Sequence, residues 1–122
     1  MAYTDNAPRF SLEAGANLTQ FTFITIDSNG KAATAAAQAA ADGVALNNPA
    51  SGDAVEVAYG GLTQVLAGEP ITQGEDVSVG SGSKAITAAG ASGDAIVGRA
   101  VTASSGDGSV ITIHFLPRAT VA

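Results

Sequence analysis

The chain has 122 residues, a formal net charge of −6 and no cysteine; 46% of its residues are hydrophobic, but only 13% are charged and 5% aromatic. This length suits one domain, and the lack of cysteine excludes disulfides and thiol chemistry. The five basic residues are scattered, so binding to nucleic acid or to an anionic membrane is not expected. A surface so poor in charge favours packing within an assembly.

The first ten residues differ from the rest of the chain. They are polar, contain Pro8 and carry two aromatic residues, Tyr3 and Phe10. This composition predicts an extended N-terminal arm, residues 1–10, that becomes ordered against a neighbour. Residues 11–122 are predicted to form a single β domain.

Strand patterns begin after the arm. Residues 21–26 read Phe-Thr-Phe-Ile-Thr-Ile, which is typical of a β strand. Residues 27–30 read Asp-Ser-Asn-Gly and predict a hairpin turn, so residues 31–34 begin the returning strand. The alanine-rich residues 35–42 predict either a short helical turn or a surface loop.

Further strand patterns follow along the chain. We expect strands at residues 43–46 and 55–57, joined through a Ser51-Gly52-Asp53 turn, and a short strand at 62–66 that bridges to the second half. The strongest strand pattern is residues 110–116, and Pro117 ends it.

The second half of the chain repeats the first. Six identities that do not involve alanine recur at an offset of 53 residues: Gly15 and Gly68, Thr19 and Thr72, Gln20 and Gln73, Ser28 and Ser81, Lys31 and Lys84, and Thr34 and Thr87. Later pieces match at an offset of 55, from Gly43 to Gly98, and of 54, from Ser51 to Ser105. The repeats span about residues 14–58 and 67–115, which predicts an all-β barrel or sandwich of two units related by a pseudo-twofold axis.

No catalytic, metal or cofactor site is predicted. His114 is the sole histidine, and a histidine-based metal site or a catalytic triad needs further partners. The segment from Asp27 to Lys31 departs from the calcium-loop pattern. Residues 80–84 lack the Gly-Lys-Ser/Thr order of a phosphate-binding loop and predict a turn instead. The carboxylates of Glu69, Glu75 and Asp76 predict a solvated acidic rim.

The pattern of these segments resembles the capsid cement, or head decoration, proteins of tailed phages. The resemblance covers about residues 10–117 and rests on short motifs: Ala14-Gly15, Asn29-Gly30-Lys31, Gly43-Val44-Ala45-Leu46, Ser51-Gly52-Asp53 and Val55-Glu56-Val57, with their second copies. The first copy departs from the pattern at two positions, where Phe21 replaces the expected glycine and Phe23 the expected aspartate.

The resemblance implies a β-rich structural virion protein without enzyme activity. Such a protein would lie on the outer surface of the phage head, bind the major capsid protein, stabilise contacts between its subunits and associate with itself as a dimer or trimer. The residues that we expect to contact the capsid or a neighbouring subunit are Tyr3, Pro8, Arg9, Phe10 and Tyr59.

Two other classes of function fit the sequence less well. One is a ligand- or glycan-binding β module of the surface or adhesin type, which is disfavoured because the chain has no tryptophan and only two tyrosines, Tyr3 and Tyr59. The other is a small hydrolase, which the lack of cysteine and the single histidine make remote.

Overall fold

The computed structural model describes residues 9–88 and 95–116, and ten β strands account for most of the regular structure there. They are β1 (Arg9–Glu13), β2 (Phe23–Ile26), β3 (Ala32–Thr34), β4 (Gly43–Ala45), β5 (Ala54–Ala58), β6 (Gly61–Leu66), β7 (Asp76–Val79), β8 (Ala85–Thr87), β9 (Gly98–Ala100) and β10 (Val110–Phe115). One 3₁₀ turn, Ser81–Ser83, joins β7 to β8. The predicted all-β class is confirmed.

The ten strands form two five-stranded antiparallel sheets with the same topology. The first sheet has the order β1-β5-β4-β2-β3, and the second has the order β6-β10-β9-β7-β8. Each strand of the second sheet occupies the place of the strand five earlier in the first. We call β1 to β5 the first unit and β6 to β10 the second unit. The repeat in the sequence is therefore a repeat of the fold.

A short parallel bridge joins the two edges of each sheet. In the first unit Ala14, just after β1, pairs with Ala32 at the start of β3, and in the second unit Ala67 pairs with Ala85 in the same way. Each sheet is thereby curled around its own apolar interior, as in a small barrel. In the first unit this interior contains Ala14, Leu18, Ile24, Ala32, Ala45, Val55 and Val57.

The first unit also contributes to the core of the second. Phe23 and Val44 are completely buried and belong to the same apolar cluster as the interior of the second unit. The rings of Phe23 and Phe115 stack with their centroids 6.2 Å apart. Since Phe115 lies at the end of β10, the sheet face of the first unit covers one end of the second barrel.

Hydrogen bonds reinforce this junction. The buried hydroxyl of Ser83 donates to the carbonyl oxygen of Ala35 at 2.6 Å, and the backbone N–H of Leu66 donates to the carbonyl oxygen of Phe21 at 2.8 Å. Phe21 holds a left-handed backbone with φ of +66°, whereas its counterpart Gly74 reaches +89°. The first of the two departures from the family pattern therefore lies at the junction.

The alanine-rich residues 35–42 form a loop, which was one of the two predicted alternatives. Ala35 and Ala41 are buried against the second unit, and the N–H of Gln38 donates to the carbonyl oxygen of Val79 at 2.7 Å. The segment thus lies at the junction of the units. In the part of the chain that the structure describes, no helix is long and apolar enough to cross a membrane.

Three details differ from the predicted organisation. Residues 62–66 lie in the first strand of the second unit, not in a bridge between units, and Arg9 and Phe10, assigned to the arm, begin β1. The Ser-Gly-Asp match at an offset of 54 was wrong. Gly52 and Gly108 are the true counterparts, at an offset of 56. Each donates its N–H, at 2.8 Å, to the carbonyl oxygen of the alanine that follows the first strand of its unit.

Candidate functional site

Only some of the predicted contact residues lie in the part of the chain that the structure describes. Tyr3 and Pro8 lie outside the described residues. Arg9 begins β1 and its Nη1 lies 2.7 Å from Oε1 of Glu56, in an ion pair whose two side chains are 41% and 46% exposed. Such an exposed pair contributes about 0–1 kcal/mol. It orients Arg9 on the surface more than it stabilises the fold.

The structure brings the other two predicted residues together. The centroids of the Phe10 and Tyr59 rings are 5.3 Å apart and the rings are tilted by 56°, within the range of separations that aromatic pairs favour. Phe10 is half-buried against the first unit's core, while Tyr59 is 48% exposed. Ile26, at the end of β2, is 43% exposed. We call Phe10, Ile26 and Tyr59 the open end of the first unit.

The repeat gives the exposed side chains of the open end counterparts in the second unit. In the second unit, the counterparts of Ile26 and Tyr59 are Val79 and Phe115, and both are buried, at 0% and 1% exposure. The first unit covers that end of the second barrel. The described residues contain no third unit to cover the corresponding end of the first barrel, which leaves two apolar side chains facing outward.

The second unit carries a groove on its surface. Its lining residues are Asp76, Gly98, Arg99, His114 and Leu116, and its volume is about 190 Å³. Arg99 pairs with Asp76 on β7 and with His114 on β10, so these three side chains form a row across the sheet. Leu116 is 51% exposed at its rim. We call these five residues the groove.

The same row in the first unit lies within the junction between units. By strand order and register, the groove's aspartate, arginine and histidine correspond to three residues with no exposed surface. These three residues are Phe23, Val44 and Ala58. The groove is therefore the second copy of a surface that already binds a barrel end, with polar side chains in place of apolar ones.

The groove residues share no motif in the sequence. His114 is exposed, but its neighbours in the groove come from other strands, so spacing along the chain could not reveal them. The available signal was the replacement of Phe23 by aspartate at the repeated position. Among the described residues, no cluster of three His, Asp or Glu side chains is placed to hold a metal ion.

The predicted hairpin turn at residues 27–30 is held by local hydrogen bonds. Oδ1 of Asp27 accepts from the N–H groups of Asn29 and Lys31, at 2.8 and 3.0 Å. Gly30 supplies the left-handed residue, with φ of +77°. This geometry is that of an Asx turn closing a hairpin, so the carboxylate's role there is structural.

Comparison with known proteins identifies the family. A model of the phage cement protein family matches residues 39–115, which is more than half of the chain. A solved structure with a similar fold is the head fiber gp8.5 N base of bacteriophage phi29, with a TM-score of 0.73 and 21% identity over 89% of this chain and 93% of that one. A comparison with curated proteins found no match.

The chain belongs to the phage cement protein family. It is a structural component of the virion and lies on the exterior of the capsid. The phi29 structure, at its low identity, supports the fold alone. Family membership favours the predicted structural role over the alternative of a glycan-binding module.

Proposed function

We propose that the protein decorates the phage head by binding the major capsid protein on its outer surface and stabilising the contacts between neighbouring capsid subunits. The observation that carries this proposal is the match to the phage cement family over residues 39–115. The low content of charged residues, 13%, supports it because the cores of protein interfaces are depleted in charge.

Repetition over the shell supplies the strength of such binding. Each copy needs only a modest affinity for its own site, because a linked set of copies binds with an effective concentration that single copies lack. Self-association as a dimer or trimer would provide that linkage. An alanine- and valine-rich barrel with few long charged side chains at its surface suits close lateral packing.

The proposed capsid contact is made by the N-terminal arm and the start of β1. Tyr3 and Pro8 belong to the predicted arm, and Arg9 and Phe10 begin an edge strand of the first sheet. An extended segment in this position can add as a strand to an exposed sheet edge of a neighbour. Tyr59 lies beside Phe10 and belongs to the same surface.

Co-sedimentation with expanded capsids that lack the protein tests this proposal. The full chain should pellet with capsids at a fixed stoichiometry, and a variant lacking residues 1–8, which keeps β1 intact, should pellet at least about tenfold more weakly. Val110→Lys provides a control at an exposed apolar position outside the proposed surface. Failure of the full chain to pellet would refute capsid binding, and unchanged occupancy of the shortened chain would refute the arm contact.

A further inference from the structure

One of the two barrel ends is covered within the molecule itself. Phe115, at the end of the second barrel, packs on Phe23 of the first unit. The repeat gives both residues a second copy, because Tyr59 corresponds to Phe115 and Asp76 corresponds to Phe23. Tyr59 is exposed and Asp76 lines the groove. A barrel end and a surface able to cover it are thus both available on each molecule.

We propose that Tyr59 of one copy of this chain inserts into the groove of a second copy. The resulting head-to-tail contact repeats, between two molecules, the contact that joins the two units within each molecule. This inference rests on the self-association proposed above, but it does not require binding to the capsid. It assigns Tyr59, among the predicted contact residues, to a neighbouring copy.

The size of the groove fits one aromatic ring. Its volume is about 190 Å³, and an apolar cavity of roughly 150 Å³ is known to accommodate benzene. Gly98 contributes backbone to the lining, where its lack of a side chain lets β9 approach the carbonyl group of His114 closely. The volume of the groove therefore suits a single tyrosine side chain.

The chemistry of the two surfaces also matches. Phe23, which receives the ring of Phe115, is replaced in the groove by a carboxylate, and the inserted residue changes in parallel from phenylalanine to tyrosine, whose hydroxyl can donate to Asp76. Arg99 is held in place by a hydrogen bond from its Nε to the carbonyl oxygen of Gly74 at 2.9 Å. Guanidinium groups bind well against the faces of aromatic rings.

A contact between two different surfaces has consequences for symmetry. Each molecule carries one Tyr59 and one groove, so the contact is heterologous and every copy can bind a neighbour at both sides. If the rotation closes, the product is a small ring such as the predicted trimer. An isologous dimer, in which one surface binds its own copy, is a different arrangement and can be distinguished by mutation.

Two single-site variants block one side each. Tyr59→Lys removes the ring and places a cation opposite Arg99, but leaves the groove intact. His114→Trp fills the groove from an exposed position and leaves the open end intact. Val110→Lys is the matched control because Val110 has the same 48% exposure as Tyr59 and lies at neither surface. Thermal unfolding of each variant confirms that the fold persists, and Leu116→Arg serves as a second groove variant.

Solution mass then decides the question, measured by light scattering and sedimentation velocity. The wild-type chain and Val110→Lys should form an oligomer of the 11.9 kDa chain. Tyr59→Lys and His114→Trp should each be monomeric, with self-association weakened at least about thirtyfold. An equimolar mixture of these two variants should form a 1:1 dimer and stop there, because one functional surface remains on each.

Several results would overturn the proposal. A monomeric wild-type chain at about 100 µM would exclude the contact at relevant affinity. An oligomeric His114→Trp beside a monomeric Tyr59→Lys would indicate an isologous contact through the open end. A mixture that stays monomeric would exclude pairing of the two surfaces. Capsid co-sedimentation of the same samples separates the two proposals, since a wild-type oligomer that ignores capsids would refute capsid binding and leave the head-to-tail contact standing.

Discussion

Replacing Gly43 by alanine should push β4 away from β5 and lower the free energy of unfolding by about 2–3 kcal/mol. A Cβ atom at this position would lie 2.6 Å from the carbonyl oxygen of Ala58 and would overlap Cγ1 of Val57. The carbonyl oxygen belongs to the backbone of the neighbouring strand. A change of side-chain rotamer therefore cannot relieve that overlap, and the strands themselves must move.

The size of the movement sets the expected cost. An ordinary contact begins at 3.4 Å, so the strands must separate by about 0.8 Å. Hydrogen bonds of about 2.9 Å would then lengthen to about 3.7 Å, beyond the useful range. Loss of two such bonds at about 1 kcal/mol each, together with looser packing of Val57, gives the stated range. For a domain of this length the melting temperature should fall by about 10 °C.

Urea unfolding and scanning calorimetry measure both quantities. Gly106→Ala is the control, because a Cβ atom there meets nothing within 4 Å and the backbone is not left-handed; it should remain within about 0.5 kcal/mol of wild type. Gly98→Ala should behave like Gly43→Ala, since its added Cβ would overlap the carbonyl oxygen of His114. An unaltered Gly43→Ala, or an equal loss in Gly106→Ala, would refute the reasoning.

Two further pairs of substitutions test buried polar groups by the same measurements. Oγ1 of Thr63 is buried without a hydrogen-bond partner among the described residues, so Thr63→Val should stabilise the fold by about 1 kcal/mol, whereas Thr22→Val, which removes a 2.6 Å hydrogen bond, should destabilise it by a similar amount. Ser83→Ala removes the bond to Ala35 at the junction and should cost about 1–2 kcal/mol, whereas the exposed Ser81→Ala should be neutral. Equal effects within either pair would contradict the assignment.

The strands and hairpins were predictable because their causes are local. The alternating pattern of residues 21–26 and the Asn-Gly turn that follows require no knowledge of distant residues. The duplication was also visible, because a constant offset of 53 holds through the second and third strands of each unit. The offset at the turn before the last strand was misjudged because Ser-Gly-Asp turns look alike, whereas register is fixed by strand pairing, as between Glu13 and Ala54.

The junction between units was not predictable, although its signature was present. Phe21 and Phe23 stood out as departures from the repeat, and the structure places both where the first unit meets the second. Phe21 keeps a left-handed backbone that glycine adopts more easily, and its carbonyl oxygen binds Leu66. Which surface such residues cover depends on contacts between segments some fifty residues apart, and no local pattern encodes that choice.

A duplicated unit that can bind its own copy within one molecule can also bind a copy on another molecule. Had the second unit kept the apolar row of the first, every molecule would expose one apolar surface and one apolar barrel end. Copies would then bind one another tightly, in a ring or a filament according to whether the rotation closes. The replacement of Phe23 by Asp76 makes the outward surface polar while leaving the inward one apolar. On the head-to-tail proposal, this difference makes the contact within the chain strong and the contact between chains weak and specific. The protein would then fold as a single molecule first and associate afterwards, in solution as well as at the high local concentration of the capsid surface.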